Sequence, residues 1–228
     1  MHARDIMTSP VITTSANASI MDVVARMLEN SISALPVVGD DGVLLGLVSE
    51  GDLMRRSELG AREYSSWWLS AIGGKVRLAQ EFVKTHGMRA GEVMTREVVT
   101  VSEETPVWKI AEMLEKHKIK RVPVLRDSKV VGIVSRANLL QALAAQQEQA
   151  TRAPSADDRQ LRDAVLQTLD SEPWSDLPHL NVVVQDSIVH YWGRVESEEA
   201  RKALQVAART VPGIKDVVDH THKTVTIF

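Results

Sequence analysis

Two phrases in this chain set a hydroxyl and an acid or amide three residues apart. Ser49-Glu50-Gly51-Asp52 follows the apolar run Gly46-Leu47-Val48, and Ser135-Arg136-Ala137-Asn138 follows Gly132-Ile133-Val134. Each lies where a strand should end and a helix begin. A serine and a carboxylate in that place stand beside backbone N–H groups, which suits a phosphate on the amides and a ribose diol on the acid. Asp and Asn also cap helices well, so the same spacing serves a purely structural reading.

The two phrases belong to a longer repetition. Asp5-Ile6-Met7-Thr8 returns as Glu92-Val93-Met94-Thr95, and Leu35-Pro36-Val37-Val38 returns as Val122-Pro123-Val124-Leu125. The offset is 87 residues through these blocks and 86 at the glycine-serine phrase, so one residue is lost in the turn between them. That length is too great for a solenoid unit and implies a duplicated small domain. Like domains pack across a pseudo-twofold axis, and clefts beside such an axis are natural ligand sites.

Each copy reads in one order. An extended stretch (Val11-Ile12-Thr13, Val98-Val99-Thr100) precedes an amphipathic helix carrying Ile20, Val23, Val24 and Met27, or Val107, Ile110, Ala111 and Leu114. Both sets have the i, i+3, i+4, i+7 spacing of a one-sided helix. Ser19 and Thr105 are placed to cap it, with Pro106 in the first turn. Strands over 32–38 and 119–125, polar turns at Gly39-Asp40-Asp41-Gly42 and Arg126-Asp127-Ser128-Lys129, and strands over 43–48 and 130–134 follow. A second helix starts near Asp52 or Asn138. Units of this size gain the core they lack by pairing.

The expected organisation is a first copy over 1–56, an insert over 57–88, a second copy over 89–145, a linker over 146–156 and a third module over 157–228. The insert region holds Trp67-Trp68, Gly73-Gly74 and a helical stripe of Val76, Ala79, Phe82 and Val83 closed by Gly87. Packing onto the pair is the expected use of the tryptophans. The third module should have a helix with Leu161, Val165, Leu166 and Leu169 inward, and a hairpin turning at Asp186-Ser187. A second helix over 198–210 breaks at Pro212-Gly213, and closing strands run over 214–218 and 225–228. The fold class is α/β (α+β).

Composition narrows the function. The hydrophobic fraction is 44% and the charged fraction 25%, as in soluble globular chains. A net charge of −3 gives no general attraction to nucleic acid or anionic membrane. The absence of cysteine removes disulfides, thiolate metal sites and cysteine nucleophiles. No basic-then-apolar leader opens the chain and no apolar run approaches the ~18 residues that span a bilayer, so a cytoplasmic protein is expected. Nothing has the form of a nucleophile elbow, a P-loop or a dinucleotide glycine fingerprint. His220-x-His222 puts two imidazoles on one strand face, with solvated histidines the expected state.

The twice-used Gly-apolar-Val-Ser-x-x-Asp/Asn phrase, together with apolar-Pro-Val-apolar, resembles cystathionine-β-synthase (CBS) domains, which occur in pairs called Bateman modules. The resemblance covers 3–56 and 89–142. It implies two CBS domains related by pseudo-twofold symmetry that bind an adenosine nucleotide (AMP, ADP or ATP) as a regulatory ligand, with no catalytic cofactor. Carried over, one site combines Ser49 and Asp52, for the ribose, with Thr105, Ile110, Ile119, Lys120 and Arg121, the two cations facing the phosphates. The other combines Ser135 and Asn138 with Ala18, Val23, Ile32, Ser33 and Ala34. The sites differ, because an amide replaces the acid and Ser33-Ala34 replaces the basic pair; the Asp52 site is expected to be the better one. A homodimer is also implied.

Gly193-Arg194-Val195, the alanine-rich helix and Val211-Pro212-Gly213-Ile214-Lys215-Asp216-Val217 resemble a BON domain, small and α/β, met in bacterial envelope proteins and tied to phospholipid surfaces or partner proteins. From Ser155 onward eight Lys/Arg face twelve Asp/Glu, so a protein contact is expected over an anionic lipid surface. The expected function is therefore a non-enzymatic adenosine-nucleotide sensor that signals by domain or dimer rearrangement. The alternative is an interaction scaffold whose BON domain carries the function.

Overall fold

The computed structural model describes residues 1–54, 82–148 and 156–223. The expectations for Trp67-Trp68, Gly73-Gly74, Val76, Ala79 and a strand over 225–228 fall outside these residues.

Secondary structure follows the repetition. In the first copy, β1 (Thr14–Ser15) lies parallel to β2 (Ala34–Val38), which pairs antiparallel with β3 (Leu44–Ser49). Helix α2 (Ile20–Glu29) sits between β1 and β2, and α3 (Glu50–Leu53) continues from β3. In the second copy β4 (Val101–Ser102), β5 (Arg121–Arg126) and β6 (Lys129–Ser135) form the same sheet, with α5 (Val107–Lys116) and α6 (Arg136–Glu148) as the helices. Short helices α1 (Ala3–Ile6) and α4 (Ala90–Val93) open the two copies.

The stripe of α2 is inward: Ile20, Val23 and Met27 pack with Leu35, Val37 and Val48. Ser19 caps it, accepting from the Asp22 amide at 3.1 Å. The second copy departs from the expected cap. Pro106 occupies the N-cap of α5, and Thr105 turns its hydroxyl back to the Ser102 amide at 3.1 Å. The short strands also start three residues later than the extended stretches suggest, at Thr14 and Val101, where Val37 and Val124 pair with them. The lost residue of the repeat lies in the hairpin turn. The first copy uses Gly39 to Gly42, whereas the second has Asp127 and Ser128 at φ 50° and 66°, the left-handed pair of a tight hairpin.

Two compact units emerge, and they do not follow the copies. One comprises Ile12–Val99 with Asp127–Val130; the other comprises Met1–Val11, Thr100–Arg126 and Val131–Phe228. The opening segment of each copy has thus been exchanged. In the first-copy unit, Thr95 bridges Leu47, N–H to carbonyl both ways at 2.9 Å. In the second-copy unit Thr8 bridges Ile133 at 3.0 and 3.1 Å. The repeated glycines make room for these straps. A Cβ on Gly46 would lie 2.8 Å from Met94 Cγ, and one on Gly132 would lie 2.8 Å from Met7 Cγ.

The third module shares the unit of the second copy. Helix α7 (Ala156–Asp170) leads to β7 (Leu180–Gln185), which pairs antiparallel with β8 (Ile188–Val195) through a turn at Asp186 and Ser187. Helix α8 (Glu198–Thr210) returns the chain so that β9 (Asp216–Lys223) runs parallel to β8. Strand β9 is longer and later than expected from 214–218, because its pairing with Ile188 begins only at Asp216. Val165, Leu169, Val182, Val184, Tyr191, Leu204 and Ala208 build its core. Gly193, at φ 127°, stands where a Cβ would strike the His179 carbonyl.

Candidate functional site

Each Ser-x-x-Asp/Asn phrase folds onto itself before it can meet anything else. Strand β3 delivers Ser49 to the N-terminus of α3, and Asp52 swings back over that end. Its Oδ2 accepts from the Ser49 amide at 3.0 Å and from the Ser49 hydroxyl at 2.7 Å. In the second copy Asn138 Oδ1 accepts from the Ser135 amide at 2.8 Å and its hydroxyl at 2.6 Å. Asp52 and Asn138 are only 6% and 4% exposed. The capping reading is therefore realised in both copies.

This geometry corrects the expected phosphate cradle. The amides of Ser49 and Ser135 are taken by Asp52 and Asn138, and those of Glu50 and Arg136 donate to the carbonyls of Ser33 (3.0 Å) and Lys120 (3.1 Å). A bonded amide is no anion site. A phosphate cannot use these four amides.

The second polar atom of each motif meets the exchanged strap. Thr95 Oγ1 donates to Asp52 Oδ1 at 3.5 Å, and Lys84 Nζ stands 3.9 Å from the same oxygen. Asn138 Nδ2 donates to Thr8 Oγ1 at 3.1 Å. The orientation of the amide is fixed, because its oxygen must face the Ser135 N–H. The two threonines consequently differ. Thr95 spends its proton on the carboxylate, whereas Thr8 accepts from Asn138 and keeps its proton to give. Sequence reasoning passed over Thr8 and Thr95 as site residues, although the repeated Met-Thr pair was the signal for them.

The other sequence-derived residues divide between the units. In the first-copy unit, Ala34 pairs with Ser49 across the β2–β3 ladder, and Ser33 precedes it, so both stand beside Ser49 and Asp52. Ala18 and Ile32 are half-buried, and Val23 is fully buried against the sheet, with no side-chain surface left to offer. In the second-copy unit Lys120 is exposed, Arg121 half-buried, and both flank Ser135 through the Arg136–Lys120 bond. Thr105 and Ile119 are half-buried, and Ile110 is fully buried like Val23. The structure thus sets each basic or small pair beside the motif of its own copy.

Elsewhere, His220 is half-buried and stacked, lying 4.5 Å from the Trp192 ring and 5.7 Å from His190, while His222 is exposed. Among the described residues no group of three His, Cys, Asp or Glu side chains can hold a metal ion, and no helix is long and apolar enough to cross a membrane.

The CBS-domain family pattern matches residues 3–58 and 90–145, and the BON-domain pattern matches 157–222. A protein of Methanocaldococcus jannaschii, MJ1426, is 30% identical over 154 residues, covering 63% of this chain and 91% of that one. The chain belongs to the CBS-domain family. It carries a tandem CBS pair followed by a BON domain. Among solved structures, CBSX2 of Arabidopsis thaliana in complex with AMP matches at a TM-score of 0.56 and 28% identity, over 65% of this chain and 99% of that one. The CBS domain pair of MJ0100, in complex with 5′-methylthioadenosine and S-adenosyl-L-methionine, matches at a TM-score of 0.50 and 26% identity, over 64% and 98%. The mixed α/β architecture of the CBS pair is shared with these structures.

Proposed function

We propose that this CBS pair binds an adenosine nucleotide as a regulatory ligand and is not an enzyme. The observation that carries the reading is the twofold use of Ser-x-x-Asp/Asn, each with a threonine from an exchanged strap on its second polar atom. A ribose diol can be received by such a hydroxyl–carboxyl pair. The complexes of CBSX2 with AMP and of MJ0100 with adenosyl ligands support the same class of ligand here. Lys120 and Arg121 supply the charge for phosphates that the bonded amides cannot serve. The contacts that the family resemblance draws from the opposite copy, Thr105, Ile119, Lys120 and Arg121 for Asp52 and Ala18, Ile32, Ser33 and Ala34 for Asn138, are part of this proposal.

A homodimer in the cytoplasm is proposed with it. Met21 and Leu28 on α2, Trp108 on α5, and Leu140 and Leu143 on α6 are each at least 60% exposed, as apolar helix faces awaiting a partner are.

A thermal-shift series with AMP, ADP, ATP, S-adenosyl-L-methionine, NAD and cyclic dinucleotides tests the reading. A ligand at about 100 times its Kd should stabilise the fold by about 2.7 kcal/mol. A flat response to every adenosine compound would overturn it. It would favour the second reading, an interaction scaffold, which has its own observation: Asp52 and Asn138 are nearly buried and satisfied by neighbouring side chains.

A further inference from the structure

The BON domain meets the strap of the second-copy unit at a buried arginine. Arg162 of α7 is 5% exposed and divides its guanidinium between two carbonyls, with Nε on Val182 of the BON sheet and Nη2 on Met7 of the strap, both at 2.8 Å. Burial lowers its pKa only to about 10, so it is a cation at neutral pH. One turn earlier Arg159 grips the strap at Asp5, Nε to Oδ1 at 2.8 Å, with Nη2 3.0 Å from His2 Nδ1. Asn181 of β7 donates to Gln141 of α6 at 2.7 Å, the helix whose first turn carries Asn138.

The strap that Arg162 holds is the one that reaches the ligand motif. Met7 fits against Gly132, Thr8 is bonded both ways to Ile133, and the Thr8 hydroxyl receives Asn138. A main-chain carbonyl fixed at Met7 fixes the plane of the Thr8 N–H, because one planar peptide joins them. We propose that Arg162 is a positioning residue of the Asn138 site: the docked BON domain holds Met7 so that Thr8 meets Asn138, and a nucleotide at Asn138 in turn strengthens the dock. The coupling is reciprocal by thermodynamic necessity. It gives the BON domain a part in regulation at the site, resting on the nucleotide-binding reading above.

The test uses the full chain, AMP as the probe, and two readouts. By calorimetry, Arg162→Met should weaken the component of AMP binding that Asn138→Ala removes, by about fivefold or more. Thr8→Val should weaken that component too, and Arg162→Met added to it should cost little further, since both act through one contact. A variant that merely loosens the fold would add its loss to that of Thr8→Val. By hydrogen exchange without ligand, the amides of Thr8 and Ile133 should open faster in Arg162→Met. If wild type binds AMP and Arg162→Met binds it equally, the inference is wrong and the nucleotide reading stands. If wild type binds no adenosine compound, that reading fails, and unchanged exchange at Thr8 and Ile133 would remove the clamp as well. Should Arg162→Met lose its cooperative melt, Arg159→Met, at a half-exposed residue, decides by the same two readouts.

Discussion

Asn138 Nδ2 meets Thr8 Oγ1 at 3.1 Å, joining residues 130 positions apart in the chain. The corresponding pair, Asp52 and Thr95, is the same contact with the proton reversed: an acid accepts where an amide donates. A duplicated fold has thus kept its geometry while its two copies have parted in chemistry. One motif presents a charged acceptor and the other a threonine with a proton to give.

That difference predicts unequal losses. Asp52→Ala should weaken an adenosine ligand more than Asn138→Ala, because bonds to a charged group contribute about 1.5–3 kcal/mol and neutral ones about 0.5–1.5. Calorimetry on both variants measures it. Equal losses would sink the asymmetry.

The proposed function puts Arg121 at the phosphate end of the ligand. Arg121→Glu should cost more affinity for ATP than for adenosine, and the gap should shrink as salt is raised, since screening acts on the phosphate charge and not on the base. A variant that binds ATP as tightly as wild type would take Arg121 out of the site.

Gly132 tests the strap. A methyl there points into Met7, so Gly132→Ala should destabilise the second-copy unit by about 1–3 kcal/mol through overpacking. Urea melts read the loss. Wild-type stability in the variant would mean that Met7 yields without cost.

Much of this arrangement was readable from residue pattern. The repeat offset, the inward stripes of α2 and α7, the Ser19 cap and the Asp186–Ser187 turn all follow from local spacing, and local spacing is what the chain enforces there. The exchange of straps was not readable. Met7 and Met94 are alike, and so are Gly132 and Gly46, so either strap suits either glycine and only the tertiary path decides. Thr8 and Thr95 were missed for that reason: their partners are set by the exchange. The α5 cap was misplaced because proline takes the N-cap itself, leaving Thr105 to bond backward. The bonded amides of the motifs depend on how Ser33 and Lys120 come alongside, a pairing that no local pattern reports.

Tyr191 offers a gain in place of a loss. It is fully buried in the BON core, and burial pushes its hydroxyl pKa upward. Among the described residues its oxygen has no hydrogen-bond partner. An unsatisfied buried hydroxyl costs about 1–3 kcal/mol, so Tyr191→Phe should raise the melting temperature of the BON transition. A lowered one would mean that an ordered water holds the hydroxyl.

Asp219 sets the acid limit of the same domain. Burial pushes its carboxyl pKa up, but the Thr221 amide and hydroxyl, Arg201 and Gln205 outweigh it and hold the carboxyl below its ordinary range. The bonds are short: Thr221 Oγ1 at 2.7 Å on one oxygen and Arg201 Nε at 2.6 Å on the other. A depressed folded pKa means that the unfolded chain binds the proton first as pH falls. The stability is therefore fully present above the unfolded value, about 3.9, and is lost as pH drops through the folded one. Asp219→Asn should melt lower than wild type at neutral pH, by an amount that shrinks below about pH 4 as wild type loses its charge. Other carboxylates titrate in both proteins and cancel in the difference. Calorimetric scans of the two chains from neutral pH into that acid range would show it, and a constant gap across the range would mean that the Arg201–Asp219 pair does not stabilise the fold through charge.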